Sequence, residues 1–109
     1  MNILIKRYRY TRWGVDGECY INGQKVCDTV EHPTLHRPCG EYEIHADTLH
    51  QFFLRANGPM KNIHGEISLG TYAMIALLHQ VGPTHEKLTQ RIKKALKRDT
   101  QVNLTIQNI

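Results

Sequence analysis

His64, Gly65 and Glu66 stand in a row and open the short apolar stretch Ile67 to Gly70. An imidazole and a carboxylate two residues apart share a face when the chain is extended, and such a pair could move a proton. A complete site would also need a nucleophile. Cys39 is the candidate, because it sits beside Pro38 and Gly40 at the end of a loop-like segment and is expected to be exposed. A thiol attacks as its thiolate, which a nearby imidazolium or a helix N-terminus favours. Two catalytic readings follow: a Cys39–His64 pair and a His64–Glu66 acid–base pair. Glu31 is a further carboxylate, placed either to pair with a basic residue or to brace the loop before Pro33. Cys19 and Cys27 fall in strand-like runs, where free cysteine usually acts as a small buried apolar residue. With no nucleophile and base fixed together by spacing, the balance favours a domain that is not an enzyme.

A second chemistry is suggested by Arg7, Arg9 and Arg12, which interleave with Tyr8, Tyr10 and Trp13. Cations next to aromatic rings suit a single-stranded nucleic acid or another polyanion, and the basic residues near the C-terminus add to this. The competing explanation is an edge strand guarded by charge and a solvated helix face. A net charge of only +4 favours that second explanation, so nucleic acid is not the preferred partner. Seven histidines are present, yet none forms HxH or HExxH, and Pro33 separates His32 from His36. No metal site and no cofactor are expected.

These residues need elements to position them. Asn2 to Tyr10 is rich in Ile and Tyr and predicts a strand. Asn22-Gly23 between two β-rich runs predicts a type I′ hairpin. On its second arm Val26, Asp28 and Val30 share one face, and Cys27, Thr29 and Glu31 the other. Residues 32–40 read as a loop, and 41–46 as a strand. Residues 47–59 predict a short helix or irregular turn capped by Asp47 or Thr48. Residues 61–70 predict a short strand or extended loop. The apolar run 71–82 suits helix or buried strand, and a small β domain's need for a central strand favours the latter. Residues 83–99 predict an amphipathic helix, with Thr84 as N-cap, Leu88, Ile92, Ala95 and Leu96 on one face and Lys93, Lys94, Lys97 and Arg98 on the other. Val102, Leu104 and Ile106 alternate in a last strand. The expected fold is mainly β (α+β): a small antiparallel sheet or barrel-like domain with one late amphipathic helix.

Length and composition fit this. One hundred and nine residues make one domain, 1–109, and the 22% charged and 40% hydrophobic fractions are those of an ordinary folded chain. No stretch approaches the roughly 20 apolar residues of a membrane helix. The basic N-terminal segment lacks the apolar core of a signal peptide, and three cysteines do not make a disulfide framework. The expected setting is cytoplasmic, without membrane association.

The order of motifs carries a resemblance. Gly17, Tyr20, Ile21 and Gly23, then Cys27, Thr29 and Glu31, then Pro38, Gly40 and Tyr42, then Ile63 and His64, then Gly65, Ile67 and Gly70 resemble the successive blocks of the domain of unknown function 5675 family. These are small bacterial and phage proteins, distantly similar to L,D-transpeptidases, cell-wall enzymes with a β-rich fold and a histidine–cysteine pair. The resemblance implies a β-rich fold over residues 3–70 and a phage, mobile-element or cell-wall setting, with a cell-wall peptide or a protein as partner. Two departures stand out. Glu66 occupies the place of the family's last cysteine, and the stretch that separates histidine from cysteine is absent, so His64 abuts Gly65. The resemblance thus implies a relative that lacks the nucleophile and acts in binding or an accessory role.

Overall fold

The computed structural model describes all 109 residues. Seven strands and two helices follow one another as β1 (Asn2–Tyr10), β2 (Val15–Ile21), β3 (Gln24–Glu31), β4 (Gly40–Ile44), α1 (Leu49–Phe52), β5 (Ile67–Met74), β6 (Leu77–His79), α2 (Val81–Lys97) and β7 (Val102–Asn108). A 3-10 turn at Pro59–Lys61 precedes β5. The strands form one mixed sheet in the order β4-β7-β1-β2-β3-β5-β6. All neighbouring pairs are antiparallel except β1 and β7, which run parallel. The parallel pair arises because α2 carries the chain back across the sheet before β7 enters beside β1. The order is linear, with β4 and β6 as its edges, so the sheet is open.

Local sequence explains most of these elements. Asn22 and Gly23 adopt φ of 48° and 85°, the left-handed pair that a two-residue I′ turn demands, and join β2 to β3. The ambiguous run 71–82 is a second hairpin: β5 continues to Met74, Ala76 turns at φ 58°, and β6 returns. Thr48 stands at the N-cap position of α1, but its hydroxyl bonds to His45 and does not cap the helix. Helix α2 begins three residues before the expected Thr84 cap. Pro83 lies in its first turn, where a missing N–H costs nothing, and the Thr84 N–H already donates to Gln80 O.

The core follows from strand alternation. Ile3 and Ile5 of β1, Cys19 and Ile21 of β2, Cys27 of β3, Ile67 and Leu69 of β5 and Leu104 and Ile106 of β7 bury one face of the sheet. Leu88 and Ile92 of α2 and Leu49, Phe52 and Phe53 cover it. Each large aliphatic side chain so buried contributes about 1.5–3 kcal/mol. A smaller cluster, Val30, Ala76, Leu78 and Val81, lies where the β5–β6 hairpin folds over the opposite face. Strand β3 therefore has the two-faced pattern its sequence predicts, with Cys27 in one cluster and Val30 in the other. No helix is long and apolar enough to cross a membrane.

Candidate functional site

The core-facing rows of β1 and β3 end in charge. Arg7 follows Ile3 and Ile5 in the same phase, and Glu31 follows Cys27 and Thr29. Both are almost fully buried, at 2% and 0% exposure. They meet across β2 because Gly17 is the residue of β2 paired with Arg7 and Thr29, and it contributes no side chain there. A methyl group on Gly17 would lie 2.7 Å from Thr29 Oγ1 and 2.9 Å from Lys6 O. Arg7 Nε donates to Glu31 Oε2 at 2.9 Å and Arg7 Nη2 to Glu31 Oε1 at 2.7 Å, a two-pronged charged pair. Burial pulls the Arg7 guanidinium down, but its hydrogen bonds and charge interaction with Glu31 more than reverse this and hold it above its ordinary value.

The remaining Arg7 donors fasten the loop before β4. Nη2 donates to Arg37 O at 2.6 Å, and Nη1 donates to Tyr10 Oη at 3.4 Å and to Cys39 Sγ at 3.6 Å. A β-bulge between Arg7 and Arg9 brings Tyr10 to this face, where it pairs with Val15. The Tyr10 hydroxyl bonds Asn108 of β7, and its ring meets His36 edge-on at 5.6 Å. Cys39 is exposed at the rim of this cluster, while Cys19 and Cys27 are buried. Hydrogen bonding to Cys27 and then burial push the Cys19 thiol well above its ordinary value, as befits a core residue.

The segment that looks catalytic in sequence is built otherwise. His64 and Glu66 do not share a strand face. Gly65 turns the chain at φ +80°, and β5 starts only at Ile67. The Glu66 carboxylate accepts a hydrogen bond from the His64 backbone N–H at 2.7 Å, closing a turn. Glu66 is buried, and the His64 ring is exposed without a hydrogen-bond partner. Asn62, fully buried, braces the same turn by donating to Glu66 O at 3.1 Å and Ser68 Oγ at 2.9 Å. Arg37 joins this turn to the Cys39 loop: its Nε donates to Gly65 O at 3.1 Å, and its guanidinium lies 4.2 Å from the Phe52 ring centre. The two segments are thus neighbours, but no hydrogen bond links Cys39 Sγ to the His64 ring. The thiol's polar partner is Arg7, a cation and not a base.

The four β1-region binding candidates separate. Arg7 is inside and committed to Glu31. Arg9 lies on the opposite face, pairs with the buried Asp16 at 2.8 Å and donates to Tyr72 Oη at 3.2 Å, with its guanidinium near the Tyr8 and Tyr72 rings. Asp16 in turn accepts from the Ala76 N–H at 2.9 Å and ties this strip to the β5–β6 hairpin. Arg12 covers Trp13 at 4.6 Å, and Trp13 is 55% exposed. Tyr8 and Tyr72, beside Arg9, keep exposed apolar surface, as do Trp13, Met74 and Ile75. Tyr72, Asp16 and Asn62 are the residues sequence reasoning missed. Gly65 was the local signal for the turn at Asn62, whereas nothing local pointed to the other two.

The seven histidines do not gather with Cys, Asp or Glu into a group of three or more that could hold a metal ion. Compared with known proteins, the chain matches no family model, no curated sequence and no solved structure.

Proposed function

We propose that the chain is a non-catalytic binding domain, a relative of L,D-transpeptidase-like domains in which the active-site segment has become structural. The observation that carries this reading is the Glu66 carboxylate. It stands where the resemblance expects a nucleophile, and it is spent on the backbone of its own turn. The side chains that suit binding are the cluster of Tyr8, Arg9 and Tyr72 and the exposed Arg12–Trp13 pair, since exposed rings and guanidinium groups are the side chains that protein and peptide interfaces favour. The proposed partner is a cell-wall peptide or a protein that presents such a peptide.

One observation favours a second reading. Cys39 is exposed and receives a hydrogen bond from a fixed cation, a setting that could serve thiol chemistry. A single experiment separates the two. The protein is incubated with soluble cell-wall peptide fragments, its intact mass is recorded, and the fluorescence of Trp13, its only tryptophan, is followed. The binding reading expects a saturable fluorescence change, lost in Tyr72→Ala, with protein mass and peptide unchanged. A covalent adduct that disappears in Cys39→Ser would establish the thiol reading instead. Neither signal would remove the cell-wall peptide as partner.

A further inference from the structure

The excess positive charge of this molecule falls in one segment. Residues 81–99 hold six basic and two acidic side chains, and the rest of the chain holds eight of each. The whole net charge of +4 therefore belongs to α2 and its C-terminal cap. Lys87, Arg91, Lys93, Lys94, Lys97 and Arg98 are all exposed, and none of them forms an ion pair. Elsewhere three of the eight cations are held in ion pairs, Arg7 with Glu31, Arg9 with Asp16, and Lys25 with Glu18 and Asp28, and the other five lie scattered along the chain. The arginines of β1, which drew attention in the sequence, are neutralised, and the helix is not.

The pattern along α2 is also regular. Lys87, Arg91, Lys94 and Arg98 recur at spacings of four, three and four residues, so they form one exposed stripe, roughly 110° around the helix from the buried Leu88 and Ile92. At 1.5 Å rise per residue the stripe is about 16 Å long. A groove of about 460 Å³ beside its first turns is lined by Lys87 and Arg91 together with Lys25, Gln80 and Thr84.

We infer that the exposed face of α2 is a docking surface for the phosphate backbone of a nucleic-acid duplex. It rests on the reading of the chain as a binding domain but uses a different surface from the aromatic strip. Charge complementarity selects a polyanion. An amphipathic basic helix that enters a membrane needs a free apolar face, and that of α2 is sealed against the core. Recognition of single strands needs aromatic platforms, and α2 has none. The exposed Tyr8 and Tyr72 lie on the opposite side of the sheet. What remains is an unpaired cationic stripe that can follow phosphates without reading bases.

The test uses the full chain and a labelled 20-base-pair DNA duplex of arbitrary sequence, with anisotropy read across a range of salt concentrations. Four phosphate contacts predict a slope of log K against log salt of about −3.6, hence roughly hundredfold weaker binding between 50 and 200 mM salt. Two unrelated duplex sequences bind alike. Lys94→Gln lowers the slope by about one unit, and a variant with Lys87, Arg91, Lys94 and Arg98 all changed to Gln loses binding while keeping its circular dichroism. Trp13→Ala has no effect. The inference is overturned by absence of duplex binding at 50 mM salt, by binding that the Lys94→Gln variant leaves unchanged, or by retention on anionic lipid vesicles without duplex binding. A preference for single strands that Trp13→Ala abolishes would also overturn it, and would move nucleic acid to the aromatic strip.

Discussion

Arg7 shows how much one side chain can decide. In the sequence it is one cation among several in a basic strand, yet its phase with Ile3 and Ile5 marks it as core-facing. That clue was legible. Its partner was not, because Glu31 lies two strands away and is reached only across Gly17. Removing one member of a buried charged pair leaves the other uncompensated. Arg7→Ala should therefore destabilise the fold by roughly 3–5 kcal/mol in urea denaturation, whereas Arg7→Met combined with Glu31→Leu should recover most of the loss. A loss below about 1 kcal/mol for Arg7→Ala, the range of exposed pairs, would show that the pair does not hold the rim together. His85 gives a pH prediction. Burial first, then Arg55 and Lys93, hold its imidazole below its ordinary value of 6.5, so the unfolded chain binds that proton more readily. The contribution to stability is complete above about pH 6.5 and declines as pH falls through that value towards the folded one. Thermal unfolding of wild type minus His85→Gln should show a difference that shrinks on acidification; one that grows would reverse the assignment.

At the scale of elements, strands and the late helix were legible because each carries its own signal. Alternation marks β1, β4 and β7, Asn22-Gly23 marks the β2–β3 turn, and apolar spacing marks α2. The extended reading of His64 and Glu66 failed for a local reason. Gly65 can take a left-handed φ, and once it does, a carboxylate one residue later folds back on the N–H of His64. The partnership of β1 with β7 was out of reach, since a parallel pairing between the two ends of a chain leaves no local trace. Gly17 is the element-scale weak point. Gly17→Val would set a Cβ against Thr29 and the Lys6 carbonyl, and should cost roughly 1–3 kcal/mol, measured by chemical denaturation. A neutral outcome would mean that β2 can shift away from β3 without loss.

On the scale of the whole molecule, the sheet separates three surfaces that the sequence mixes together. The buried charged cluster with Cys39 sits at one end of the core face, the aromatic and arginine strip lies on the opposite face, and the unpaired cations line α2. Sequence order placed Arg7, Arg9, Arg12 and Trp13 in a single binding segment, and the fold assigns them to different sides through the β-bulge after Arg7. With the Glu66 carboxylate bound to its own turn and Cys39 Sγ facing Arg7, His64, Glu66 and Cys39 are not expected to work as one site. The direct measurement is the rate at which iodoacetamide alkylates Cys39, resolved by mass spectrometry, in wild type, His64→Ala and Glu66→Gln under native conditions. One common rate is expected for Cys39 in all three proteins, with Cys19 and Cys27 protected. A tenfold or greater slowing of Cys39 in His64→Ala, with the fold intact, would show that the imidazole activates the thiol and would contradict that expectation.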